Sequence, residues 1–416
     1  MQPTRRDFLR GFGSSTLLAC GTSVPAFLAR SASAVGAGAA GRVLVVVQLT
    51  GGNDGLNTVV PYRDDNYQKH RRKIRVPESA LHKVDDNVGL HPALGGFASA
   101  LEAGELAVVQ GVGYPNPSRS HFQSLAVWQT ARPEHTVEAP GWLNRCLAAR
   151  HPVAGGDTPA LHVSISELPQ ALAGRDLTVP SLIGPDQVRR RLGLRSGPAA
   201  TEQRAALDRV SCRPAAGEDP YLQFIRRSNL VTYTSSARLE EVLRQETTAG
   251  GFPEYGLARR LALIAQLIKA GLSTSIYYTE LDGFDTHVNQ VGSHPALLRE
   301  TGDSLGAFLG DLRRAGEADR VLVLVFSEFG RRLAENASGG TDHGTAAPVF
   351  LLGPAVRAGI HGPCLDLEDL MDGDPKFALD FRRIYATVLD RWLACPSDKV
   401  LGGTFAHLPL LSGRRG

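Results

Sequence analysis

Two short stretches set a carboxylate beside an imidazole: Asp285-Thr286-His287 and Asp342-His343. A third acid, Asp54, follows the pair Gly51-Gly52. Carboxylate oxygens and imidazole nitrogens together suit Zn²⁺ or Mn²⁺. Two such ions a few ångströms apart can hold and polarise a phosphoryl or sulfuryl group. The stretch Ser118-Arg119-Ser120-His121 supplies the remaining parts. Ser120, or Ser118, offers a hydroxyl nucleophile, Arg119 a fork for anionic oxygens, and His121 a proton carrier. Each stretch also has a plain structural reading. Gly51-Gly52 can be a tight turn, Asp54 and Ser120 can cap helices, and Glu328 can pair with Arg331 on a surface.

The elements that would position these residues are legible in the hydropathy pattern. Arg42–Thr50 is an apolar run rich in β-branched residues, suited to a strand buried on both faces. Leu106–Val112, Ser273–Thr279, Val321–Phe326 and Val349–Leu352 read as further strands. Helices are expected over Pro92–Ala103, Gly256–Ala270, Leu297–Arg314 and Leu379–Leu393. In the second of these, Leu261, Leu263, Ile264, Leu267 and Ile268 form one apolar face. Residues 155–220 are rich in Gly, Pro, Ala and Arg and read as an irregular cap or insertion. Strands alternating with long helices predict an α/β fold, a mostly parallel central sheet with helices on both faces. Sites in such folds form beyond the carboxyl ends of the strands. Asp54, Asp285, His287, Asp342 and His343 all follow predicted strands, so one crevice is expected to gather them.

The N-terminus has the layout of an export leader. Arg5-Arg6 precedes an apolar run from Gly11 to Leu28 and the small-residue site Ala32-Ser33-Ala34. This predicts a twin-arginine signal over residues 1–34, with the Tat translocon as export partner and a periplasmic or extracellular destination. Leu17-Leu18-Ala19-Cys20 also resembles a lipobox, which would make Cys20 a lipid anchor instead. The rest of the 416 residues, from 42 to 412, reads as a single domain. It contains no apolar run near the ~20 residues of a membrane span. The formal charge of +3 is scattered and gives no reason for a nucleic-acid partner. Arg71-Arg72-Lys73 reads as a solvated loop. Cys146, Cys212, Cys364 and Cys395 lack zinc-ribbon or Cys-x-x-Cys spacing.

Taken in order, the motifs are similar to those of one known family. They are the leader, residues 51–62, Leu-His-Pro-Ala-Leu at 90–94, Ser-Arg-Ser-His-Phe at 118–122, Gly-Phe-Asp-Thr-His at 283–287, Ser-Glu-Phe-Gly-Arg at 327–331 and Asp-His-Gly at 342–344. This series resembles the bacterial domain-of-unknown-function family 1501, grouped with the alkaline-phosphatase-like superfamily beside sulfatases. The resemblance implies an alkaline-phosphatase-like three-layer sandwich. It also implies metal ligands at Asp54, at Asp285 and His287, and at Asp342 and His343. It places a nucleophile near Ser118–His121. Three departures stand out. Pro115 occupies the position where sulfatases carry the precursor of formylglycine, which disfavours that chemistry. Asp285-Thr286-His287 is more tightly spaced than the corresponding phosphatase motif. A last histidine ligand is not obvious, with His361 and His407 as candidates.

Two functions fit this pattern. One is an exported metal-dependent hydrolase of a phosphate or sulfate ester, with an anionic ester as substrate. The other is a non-catalytic periplasmic binding or assembly factor that keeps the fold. The leader generates a direct test. Replacing Arg5 and Arg6 with Lys should abolish periplasmic accumulation in fractionation experiments, because the arginine pair is the address being read. Undiminished accumulation would refute the leader assignment.

Overall fold

The computed structural model describes residues 41–133, 139–150, 160–174, 179, 181–182, 251–272 and 274–412. The leader, Cys20, Cys212 and most of 155–220 lie outside these described residues. The strands of the central sheet are β1 Val43–Leu49, β2 Leu106–Gly113, β3 Ala160–Val163, β4 Ser181–Leu182, β5 Ile276–Leu281, β6 Val321–Phe326, β7 Ala347–Leu352, β8 Gly359–His361 and β9 Leu379–Asp380. Their order across the sheet is β8-β2-β7-β6-β1-β5-β3-β4, with β9 also paired to β2. All run parallel except β7, which is antiparallel to both β6 and β2. The fold is therefore a mixed α/β fold with a mostly parallel central sheet.

β1 is the middle of this sheet, and all seven of its residues are buried. Alternation sends its side chains to opposite faces. Val43, Val45, Val47 and Leu49 join one core, and Leu44 and Val46 join the other. The first core is covered by α1 Gly95–Glu102, α4 Gly256–Lys269 and α5 Gln290–Arg314. The apolar face expected on α4 is buried throughout. The second core is covered by α2 His121–Thr130, α3 Trp142–Arg150 and α6 Arg382–Thr387. There Trp128 stacks between Phe326 and Phe381, with ring centroids 5.2 and 4.5 Å away. Among the described residues, no helix is long and apolar enough to cross a membrane.

Three elements differ from the sequence reading. The described parts of 155–220 include β3 and β4, which extend the sheet parallel to β5. α5 begins at Gln290 rather than Leu297 and runs through Pro295. Tertiary bonds hold its first turn: the Gln290 amide nitrogen donates to Gly339, and its side chain meets Thr286, Thr341 and Asp54. The segment expected as one helix from Leu379 splits instead. Leu379–Asp380 pairs with β2, and α6 continues into a π-helical turn at Val388–Trp392.

The parallel direction explains the placement of the polar loops. The carboxyl ends of β1, β2, β5 and β6 lie along one edge of the sheet. β7 runs the other way, so its beginning reaches that same edge. The preceding ribbon, Arg331–Glu335 against Thr341–His343, is delivered there too.

The first core also depends on a glycine. α1 crosses α5 so closely that a Cβ on Gly96 would stand 2.0 Å from the Gly302 carbonyl oxygen. Backbone cannot yield as a flexible side chain can. Gly96→Ala should therefore cost roughly 1–3 kcal/mol in denaturant unfolding, as overpacked cores do. An unchanged midpoint would show that the helices separate freely.

Candidate metal centre

At the end of β1, Gly51 and Gly52 adopt φ values of +116° and +74°. The pair does more than turn the chain. A Cβ on Gly51 would lie 2.5 Å from the Asp285 amide nitrogen, and one on Gly52 would lie 2.3 Å from the Phe329 ring. Only glycine lets the ends of β1, β5 and β6 approach this closely. Three backbone groups of this pair bind charged side chains. The Gly51 N–H donates to Glu328 Oε1 at 2.9 Å. The carbonyls of Gly51 and Gly52 accept from Arg331 at 2.5 and 2.7 Å. Arg331 also donates to the carbonyls of Phe284 and Thr341 and to Asp285 Oδ1 at 2.7 Å. Neither Glu328 nor Arg331 is at the surface. The two are buried, and they pair with different partners.

Asp285, His287 and His343 converge at this edge. Asp285 Oδ1 is 3.1 Å from His287 Nε2 and 3.0 Å from His343 Nε2. The two Nε2 atoms are 2.9 Å apart. His121, at the start of α2, completes the group, with its Nε2 3.5 Å from Asp285 Oδ2. Ligand atoms of His121, Asp285 and His343 all lie within 4.8 Å of one another. Burial raises the Asp285 carboxyl, but the hydrogen bond and charge of Arg331 lead the effects that outweigh it and bring its pKa down to about 2. Asp285 is therefore an anion at any physiological pH.

The protons of the three imidazoles can be placed from their other contacts. His343 Nδ1 faces the Arg119 carbonyl at 2.8 Å. A carbonyl only accepts, so Nδ1 carries the proton and Nε2 presents a lone pair. His287 Nδ1 faces Asp342 Oδ1 at 3.2 Å, and His121 Nδ1 faces Glu328 Oε1 at 2.8 Å. Both therefore carry their proton on Nδ1 as well. His121 Nε2 is buried and has no hydrogen-bond partner. In their neutral form the rings turn lone pairs towards a carboxylate, acceptor against acceptor. Such a donor set fits a divalent cation, and the acceptors behind the rings are what orient ligating histidines in metal sites. Atoms that share one ion at ~2.0–2.2 Å sit about 3 Å or slightly more from one another.

The other expected site residues take different places. Asp342 is half exposed and stands behind His287, with its Oδ1 also accepting from Asn336 at 3.1 Å. The Asn336 bond leads the effects that hold its carboxyl below the usual range. Asp54 does not join the cluster. It is fully buried, caps the short helix Gly55–Thr58, and gives Oδ2 to Arg71 at 2.5 Å and to Gln290. Arg71 is correspondingly buried, not part of a solvated loop, and it also binds the carbonyls of Arg332 and Leu333. The Arg119 guanidinium is held by Asp374, with Nε 2.8 Å from Oδ2, so it is not a free fork. Its service to the site is its carbonyl. Ser120 occupies the N-cap position of α2 but makes no side-chain capping bond, and its hydroxyl is exposed. Ser118 instead accepts from the Ser120 N–H and donates to Gln123. His361 bonds the Arg357 carbonyl and His407 bonds Asp390, so neither supplies a last ligand.

From the sequence Glu328 reads as a surface partner of Arg331, yet it is buried against His121. Its signal was a carboxylate placed directly after a wholly apolar strand, a position that burial alone would forbid without a partner.

The Asp54–Arg71 pair generates a stability prediction. Burial pushes the Asp54 carboxyl up, yet the Arg71 charge and hydrogen bond prevail and the pKa falls below its ordinary value. A lowered folded pKa contributes stability above the unfolded value of about 3.9. That contribution is lost as pH falls through the lower folded value. Arg71→Met strands the buried carboxylate and should cost about 3–5 kcal/mol at neutral pH. It should also flatten the acid limb of stability against pH. Equal acid sensitivity in both proteins would remove the pair from this role.

Residues 41–392 match the model of a family described as a protein of unknown function, DUF1501. No curated protein matches the chain. Solved structures with a similar arrangement include the PsFucS1 sulfatase from Pseudoalteromonas sp., 11% identical with a TM-score of 0.36, covering 88% of this chain and 70% of that one. They also include the lipoteichoic acid synthase LtaP from Listeria monocytogenes, 11% identical with a TM-score of 0.33, covering 83% and 68%. A third is Ps i-CgsB, 12% identical with a TM-score of 0.36, covering 88% and 75%. With the match running through nearly all of the chain beyond its first forty residues, this protein belongs to the DUF1501 family.

Proposed function

We propose that this protein is an exported hydrolase of a phosphate or sulfate ester that works with one divalent cation, Zn²⁺ or Mn²⁺. The observation that carries this reading is the convergence of His287, His343 and Asp285 with the imidazole protons drawn away from the centre. These three residues would hold the ion. When bound, it would polarise the ester and offset its negative charge.

The chain's own groups then have defined tasks. The Ser120 hydroxyl, exposed beside His121, is the attacking group. His121 takes its proton on Nε2, the atom left without a partner. Glu328 holds the other nitrogen and so fixes the tautomer and the ring orientation. That hydrogen bond leads the effects that raise the His121 pKa, which favours the imidazolium formed once the proton has arrived. Phe329 packs against both His121 and His343, with ring centroids 4.9 and 4.8 Å away, and limits their rotation. Export through the Tat translocon belongs to the same proposal, since that route carries folded proteins with their ions in place.

A second reading, a non-catalytic binding factor, draws on two observations. Arg71 neutralises the early acid Asp54, and Asp374 occupies Arg119. Protein purified after folded export separates the two readings by elemental analysis and by turnover of aryl phosphate and aryl sulfate. The hydrolase reading expects about one Zn or Mn per chain and measurable turnover. His343→Ala should lose both. Ser120→Ala should lose turnover while metal content and melting temperature stay near wild type, because its side chain makes no cap bond. Metal without turnover would favour the binding factor. Protein that neither carries nor takes up a divalent ion would refute the metal centre.

A further inference from the structure

Away from the metal centre, two cysteines far apart in the chain meet in the second core. Cys146 lies on α3 and Cys395 just beyond the π-helical turn, 249 positions apart. Both are free thiols and both are buried. The Cys395 thiol donates to the Cys146 carbonyl with Sγ···O 3.6 Å. The two sulfurs lie close enough to perturb each other's ionisation.

Their surroundings differ. Cys395 borders a surface cavity of about 700 Å³ that is also lined by Asp390, Ser397, Phe405 and His407. Cys146 does not line it. Arg150, one turn along α3, places positive charge near both sulfurs. Cys395 therefore has a route to solvent, and Cys146 sits behind it.

We propose that Cys146 and Cys395 are a disulfide-forming pair, with Cys395 the attacking sulfur and Cys146 the resolving one. The co-reactant is a disulfide, either a small molecule or a protein. Cys395 sulfur bonds to one sulfur of that disulfide and releases the other, which leaves as a thiol after taking the Cys395 proton. Cys146 sulfur then bonds to Cys395 and releases the second thiol in the same way. Two protein thiols are oxidised and one disulfide is reduced to two thiols. The product would tie α3, and the short helix Ser397–Leu401 packed on it, to the sheet's C-terminal cover. The proposal rests on the exported location only for its natural oxidant.

The test uses the full chain in two preparations. Protein retained in a reducing cytoplasm is purified, exposed to oxidised glutathione, denatured, alkylated without reduction and digested. A peptide pair linking Cys146 to Cys395 is expected, with exposed Cys364 alkylated or glutathionylated instead. The cross-linked protein should melt at a higher temperature than the reduced form, and dithiothreitol should reverse the shift. A parallel sample from the export compartment should already carry the link. Absence of the link in the glutathione preparation, or a link from either cysteine to Cys212 or Cys364, overturns the pairing. Formation only in vitro, by protein that fractionation shows to be exported, overturns the physiological oxidation. In Cys146→Ser, Cys395 should stop at the mixed disulfide with glutathione; an unmodified Cys395 there would refute its role as the attacking sulfur.

Discussion

The candidate centre depends on one buried guanidinium. Arg331 is desolvated and must find acceptors for its donors. It finds them on Gly51, Gly52, Phe284 and Thr341, and its counter-charge on Asp285. Those partners come from the end of β1, the loop after β5 and the ribbon after β6. The cost of an unpaired buried charge therefore acts as a clamp on three separate segments. The glycine pair serves the same constraint, because a Cβ on Gly51 or Gly52 would strike Asp285 or Phe329 and push these segments apart. Asp285 is fixed in turn, and with it the point on which the imidazoles converge.

Arg331 and a cation would share Asp285, yet they meet it under different rules. The guanidinium is planar, permanently charged and already bonded to four carbonyls, so it cannot leave. A divalent ion would add to the centre instead of replacing Arg331, through the Nε2 lone pairs of His287 and His343. Those lone pairs exist because Asp342 and the Arg119 carbonyl hold the opposite nitrogens. Residues that look like ligands in the sequence thus divide into those that face the centre and those that set the proton position of the ones that do. Asp342 and His343 are adjacent in the chain but fall on either side of that division, since neighbours in a strand point to opposite faces.

This division was only half legible in the sequence. β1, β6 and the apolar face of α4 could be read because their periods are local and their burial is complete. The gathering of Asp285, His287 and His343 followed from strand ends alone. What could not be read was set by pairs distant in the chain. Arg71 sits in a basic run that looks solvated, and only its approach to Asp54 makes it a core residue. Glu328 and His121 are 207 positions apart, and no spacing announces their contact. The short strands β3, β4 and β9 carry too few residues for a periodic signal, and pairing with a neighbour creates them.

The exchange at Asp54 shapes the chemistry open to the centre. An early acid that bound a second ion would need its carboxylate free, and here Arg71 and Gln290 hold it in a sealed position. The charge that would come from a second ion is replaced by a guanidinium that faces inward. Arg331 and Arg119 are engaged as well, by carbonyls and by Asp374. Neither of these two arginines is therefore free to meet the oxygens of an ester dianion. Under the hydrolase reading, one divalent cation and the His121 imidazolium would face that charge, and between them they suffice for a dianion.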